Sequence, residues 1–290
     1  MRFPGYFLVA NAMICCALLS GCATLRSNSR SFANTPIACD GGCDDACDSC
    51  NSFQTRVVRG RPYPLLDRTG SLLGFPNKLA LWDKRADNHD IGSDTESAVV
   101  SYLDQNGLDS VLVRVNQYDP VDEWRRMTSN DKIAAPWRYT FGTYDWLKYT
   151  LFPGRLSGGD WYNPFSDSLH LYSDIPSIAI AKAAYAKDVH ARQLPGTYAA
   201  IQDAPIFGLW HETLANQEAI EYLKVHGTAE QKLEAERILY PDYGGAWGAQ
   251  VFSFLPYGNV YGRAVGALAG HTVRTVKNST SSLSEKSTLR

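Results

Sequence analysis

Past residue 50 the chain has no cysteine, which leaves everything beyond that point without thiolate metal ligands or disulfides. It has no charge excess either. Its 28 basic residues stand against 30 acidic ones, with no cluster dense enough to give the electrostatic footprint of a nucleic-acid binder. Long apolar runs are missing too: the best, residues 6–19 (YFLVANAMICCALL), falls short of the roughly 20 residues that span a bilayer. Neither G-x-x-x-x-G-K-[ST] nor G-x-G-x-x-G occurs, so the loops that cradle nucleotide phosphates are absent. A G-x-S-x-G elbow is also missing, and Ser177 lies five residues before Lys182, off its helical face.

Aromatic residues are plentiful. Seven Trp and sixteen Tyr supply enough bulk for one large core, which excludes a chain disordered throughout. The N-terminus has its own chemistry. Arg2, the apolar run 6–19 and Leu19-Ser20-Gly21-Cys22 resemble the signal segment of bacterial lipoproteins. The resemblance implies removal of residues 1–21, a diacylglyceryl thioether on Cys22 and an amide-linked acyl chain such as palmitate on its new amine. Several acyl chains on one residue hold a protein firmly to a membrane. Ala23 at the next position points by the same resemblance to the outer membrane, and so to the cell envelope with the chain facing periplasm or exterior. Cys15 and Cys16 would leave with the signal. Cys39, Cys43, Cys47 and Cys50 remain, in DGGCDDACDSC. In an oxidising compartment two local disulfides are expected, in one of three pairings, with a four-thiolate metal site as the alternative. Residues 22–70 read as a lipidated, Cys-rich flexible tether, and residues 71–275 as the folded domain.

Within that domain Ser93-Asp94-Thr95-Glu96 is a capping-box pattern, Val99, Val100 and Leu103 have helical spacing, and Gly107 ends the helix. Residues 110–118 alternate like a half-buried strand. Asp119-Pro120 opens a helix, and another runs through TYDWLKYTLF to Pro153-Gly154. Trp161 to Tyr172 reads as a hairpin, after which Ser173-Asp174-Ile175-Pro176 caps a long apolar helix. Two helices follow, over residues 208–225 and over TAEQKLEAERILY, parted by Gly227. Gly262, Gly266 and Gly270 form a helical stripe suited to close packing on another helix. Residues 276–290 are a polar tail expected to fray.

WYNPFSDSLHLYSDIPSIAIAKAAYAKD, followed by Glu212-Thr213-Leu214-Ala215-Asn216, resembles gluzincin-type zinc metallopeptidases of the CAAX-protease and heat-shock-peptidase kind over residues 93–240. That resemblance implies an α+β, mainly helical fold, with a small sheet and an edge strand before the central helix. It also implies a cleft in which Glu212 of E-x-x-A-[DN] meets H-E-x-x-H. The second motif is not there. Ala181 and Tyr185 stand where the histidines belong, and Lys182 where the general base belongs. Alanine has no donor atom, a neutral phenol is a poor ligand, and an ammonium cannot accept a proton. No metal and no cofactor are therefore expected. Of the histidines, His170 on the strand is the one placed to rescue a site, and one His with one Glu is too few. Lys182 sits alone in an apolar run, so it either pairs with Glu212 in the vacated position or snorkels to solvent.

The expectation is thus a membrane-anchored lipoprotein with an inactive, peptidase-like domain that binds or scaffolds. His170, Lys182, Asp188, Glu212 and Asn216 would line the cleft, and the strand of His170 would offer an edge to a peptide or envelope-protein partner. Nucleic acid and nucleotides are not expected partners. An active peptidase with a relocated ligand set, or a structural envelope lipoprotein built on the glycine stripe, are the alternatives.

Overall fold

A computed structural model describes residues 57–157, 159–201, 207–255 and 258–288. The expected signal segment, Cys22 and Cys39, Cys43, Cys47 and Cys50 lie outside the described residues. The fold is α+β and mostly helical, with one small open sheet. It begins inside the expected tether, with strand β1 (Val57–Arg59) and helix α1 (Pro64–Leu73). Three residues are too few to show an alternating pattern. β1 instead owes its place to parallel pairing, Val57 opposite Val113. Helix α2 (Phe75–Leu81) follows, then α3 (Ser93–Gln105).

The capping box expected at Ser93 does not form, because Ser93 is already helical and Gly92 is the N-cap. A distant residue takes over. Asp174 accepts hydrogen bonds from the Gly92 N–H at 3.0 Å and the Thr95 hydroxyl at 2.7 Å. It therefore caps α3 rather than the helix it precedes, which starts without a side-chain cap on Pro176. The pre-proline restriction holds Ile175 extended and lets Asp174 reach away. Gly107, at φ +65°, turns the chain out of α3.

Strand β2 (Leu112–Val115) is buried on both faces, not one. It lies between two parallel neighbours, with helices over each face, so alternation in its sequence does not report exposure. Helix α4 (Pro120–Ser129) starts as expected, the Asp119 carboxylate accepting from the Asp122 N–H at 3.0 Å. A helical turn (Ala135–Trp137) widening into a π-turn (Arg138–Gly142) leads into α5 (Thr143–Leu151), and α6 (Gly154–Ser157) comes next. The hairpin of β3 (Trp161–Asn163) and β4 (Ser168–Leu171) forms where expected.

Sheet order is β1-β2-β4-β3, with β3 antiparallel to β4 and the other pairs parallel. This corrects the edge assignment: β4, which carries His170 and precedes the central helix, is an inner strand, and β3 holds the outer edge. One sheet face, with Val113, Val115, Leu169 and Leu171, packs on α3 and on α7 (Pro176–His190) in the main core. The other is polar though buried, and carries Arg114 and His170 side by side in register.

After α7 come α8 (Pro195–Ile201), α9 (Phe207–His226) and α10 (Ala229–Val251). Thr228 and Gln231 make a reciprocal capping box at the start of α10. That helix runs past Tyr240 and through Pro241, despite the cost of an internal proline, because it packs along α11 (Gly258–Thr288). The last helix extends through most of the segment expected to fray. The glycine stripe is used inside the fold. A methyl group on Gly248 would sit 1.9 Å from the Gly262 carbonyl oxygen, and one on Gly266 equally close to that of Gly244.

Candidate functional site

Edge strand β3 presents both of its faces to a groove of about 410 Å³. Trp161, opposite His170 in register, points toward α5 and stacks on the His170 ring, with centroids 4.5 Å apart. Tyr162 points the other way and meets the Tyr185 ring edge-on. One wall is therefore α5, with Lys148 and Tyr149, and the other is α7 and α9, with Lys182, Tyr185, His211, Glu212 and Ala215.

Lys182 is paired. Its ammonium donates to Glu212 Oε1 at 2.6 Å, and both side chains are less than one-third exposed. Burial works against both charges. Even so, Glu212 and Asp242 hold the Lys182 ammonium above its ordinary range, and Lys182 holds Glu212 below its own. Of the two arrangements open to Lys182, the structure has the ion pair. Tyr185 lines the same groove one turn on, whereas Ala181 is buried in the core beside it.

Three other expected cleft residues lie elsewhere. His170 is on the opposite face of the sheet, fully buried, with its Nε2 3.3 Å from Glu123 Oε1. It therefore cannot join Glu212 in a ligand set. Asp188, near the end of α7, binds Arg192 and the Tyr198 hydroxyl. Asn216, one turn after Glu212, turns from the groove into a separate cavity with Thr213 and Tyr243. The helical turn that joins Glu212 and Asn216 in sequence does not put both in one cleft.

Two groove residues escaped the sequence reading. His211 is buried against Tyr185 and Tyr198, and its Nδ1 has no hydrogen-bond partner among the described residues. Burial lowers its proton affinity. It is adjacent to Glu212 and a quarter-turn from it around the helix, and the groove is wide enough to take both positions. Asp160, just before β3, accepts from the backbone N–H groups of Tyr172 at 2.6 Å and Ser173 at 3.0 Å. Burial and the nearby Asp87 raise its carboxyl to about 6. No sequence motif marks it.

The side chains that meet here do not fit zinc. The position next to Glu212 holds an ammonium already hydrogen-bonded to it, and Tyr185 and Ala181 offer no good donor. Among the described residues no three His, Cys, Asp or Glu side chains converge in a way that suits a metal ion. No protein-family model matches the sequence, and neither curated proteins nor solved structures yield a similar one.

Proposed function

We propose that this chain is a lipid-anchored protein of the cell envelope whose peptidase-like domain is a non-catalytic relative of the gluzincins and binds an extended peptide. The peptide would lie along the outer edge of β3. One observation carries the reading: the groove reaches the edge strand β3 and holds the Lys182–Glu212 pair, whose residues the sequence resemblance aligns with the general base and the metal-binding glutamate. An extended chain added at such an edge gains main-chain hydrogen bonds, while wall side chains select its residues. Trp161 and Tyr162 would meet alternate side chains, and Asp160, with no cation bonded to it among the described residues, would favour a basic one. Membrane attachment is supported by the sequence around Cys22 alone.

The test is selection of peptides from a random display library on the purified full chain, followed by amide hydrogen exchange with a selected peptide bound. Protection of Trp161 to Asn163 is expected, together with intact peptide after prolonged incubation in the presence of zinc. Protection of some other surface, or zinc-dependent cleavage, would sink the proposal.

A further inference from the structure

The turn of the β3–β4 hairpin and the end of α7 face each other across a further cavity, of about 250 Å³, with the loop after α4 as a third wall. Asp167 lines it and is 5 % exposed. One carboxylate oxygen accepts from the Tyr162 hydroxyl at 2.7 Å and lies 2.9 Å from His190 Nε2; the other accepts from the Ser110 hydroxyl at 2.7 Å. A carboxyl held at about 2 only accepts at neutral pH, so Nε2 carries the hydrogen in the contact with His190. Nδ1 is left to act on the cavity. It has no partner among the described residues, and the side chain is 17 % exposed where it lines the wall.

Lys132 enters from the loop. Its ammonium donates to the Ser110 hydroxyl at 2.8 Å and meets no carboxylate among the described residues. Ser110 has already given its own hydrogen to Asp167, so it holds Lys132 as a neutral acceptor and leaves the ammonium its charge and its other N–H groups. Asp167 does not cancel that charge. Three donors of the fold take its oxygens, and the Arg126 guanidinium donates to its main-chain carbonyl at 2.9 Å. On the rim, Arg192 is bonded through Nη2 to Asp188 and Tyr198, while its Nε and Nη1 have no partner among the described residues. Lys132, Arg126 and Arg192 thus outnumber Asp167 and Asp188 before His190 is counted.

We infer that this cavity binds a phosphate group, as the inorganic ion or on a small monoester, between Lys132 and His190 Nδ1. The kind of donor favours phosphate over carboxylate. A carboxylate suits the planar fork of a guanidinium, and Asp188 already holds that end of Arg192. What remains is an ammonium and one ring nitrogen on separate elements, two point-like groups that suit an anion with oxygens in every direction. The proton decides further. With a second ionisation near 6, phosphate both donates and accepts at neutral pH, whereas a carboxylate only accepts. Nδ1 therefore finds a partner in phosphate whether the ring is neutral or protonated. Size restricts the ligand, because the cavity is smaller than the roughly 300 Å³ at which pockets for drug-sized molecules begin. The inference is independent of peptide binding at β3 and of lipidation at Cys22.

Ring-nitrogen NMR spectra of the histidines test it on the full chain, titrated at constant ionic strength with inorganic phosphate, with methyl phosphate and with acetate. A saturable shift of His190 Nδ1 is expected with both phosphates, and little change at the other histidines. Tighter binding of the ion or of the ester then tells which source the cavity prefers. Lys132→Met should weaken binding by about 10- to 100-fold, the loss of one hydrogen bond to a charged group. Lys84→Met should leave it unchanged; since both lysines are exposed, both variants should fold. No shift at His190, or a shift that never saturates, overturns the inference. So does an equal loss in the two lysine variants, which would make the effect one of net charge, or saturation by acetate at the same concentration, which would assign the cavity to carboxylates.

Discussion

The contact between Lys182 and Glu212 joins α7 to α9 through one hydrogen-bonded ion pair in a partly dry groove. Neither charge is free to hydrate fully, so each depends on the other. Lys182→Met should cost about 1–3 kcal/mol, because it leaves the Glu212 carboxylate buried without its main partner. Replacing both partners removes the desolvation cost along with the attraction. Lys182→Met combined with Glu212→Leu should therefore recover most of the loss. Chemical denaturation of the two single variants and the double variant checks this as a cycle. Equal and additive losses would mean that the pair contributes no coupling and that Lys182 is held by its hydrocarbon stem alone.

At the scale of elements, α10 and α11 are joined by glycine. Their carbonyl oxygens lie where a Cβ would otherwise be, at Gly244, Gly248, Gly262 and Gly266. Gly248→Ala or Gly266→Ala must push the helices apart, for an expected loss of roughly 1–3 kcal/mol, with more for valine. Gly107→Ala, in open space but at positive φ, should cost less and leave the hairpin alone. Thermal melting of the three variants ranks them. The stripe was legible in the sequence because its spacing is helical and its residues are small; its partner Gly244-x-x-x-Gly248 was hidden behind Pro241, a helix breaker in sequence that lies inside a helix in the fold. Elements with local signals were similarly legible: Asp119-Pro120, the β3–β4 hairpin and the start of α10 all form as read. What failed was long-range. Asp174 caps a helix some eighty residues earlier in the chain, and β4 lies inside the sheet because β2 pairs with it. Of the site, Lys182, Tyr185 and Glu212 could be read from one helical face and one motif, whereas Asp160 and His211 reach the groove only through the packing of β3 and α9.

For the whole molecule, stability against pH depends on three carboxyls, two buried and one half-buried, that pull in opposite directions. Glu123 accepts from Asn163 at 3.0 Å, from Ser166 and from His170, and its other oxygen lies 3.0 Å from Arg114 Nε. Burial alone would raise its pKa, but His170 and Arg114 outweigh that and hold it at about 2. Asp167, in the left-handed turn of the hairpin, is likewise held at about 2 against burial by His190, Ser110 and Tyr162. A carboxyl depressed on folding stabilises above its unfolded value and loses that stabilisation as pH falls through the folded one. For Glu123 the window runs from 4.5 down to about 2, and a depression of that size is worth roughly 3 kcal/mol. Asp160 has the opposite sign: raised to about 6 from 3.8, it stabilises most when protonated, and its contribution is lost as pH rises through 6. Together these groups place the greatest stability near pH 4–5, with a gentle decline toward neutrality and a steep one toward pH 2. Denaturant midpoints measured from pH 2 to 8 on the native chain, Asp160→Asn and Glu123→Gln separate the two limbs. Asp160→Asn keeps an acceptor for the Tyr172 and Ser173 amides, so it should be more stable than the native chain at pH 7, with the gap closing by pH 4. Glu123→Gln should be less stable at pH 7, with the gap closing toward pH 2. If that second gap stayed constant with pH, the loss would come from packing, and the buried Arg114–Glu123–His170 cluster would not be what gives the fold its acid limit.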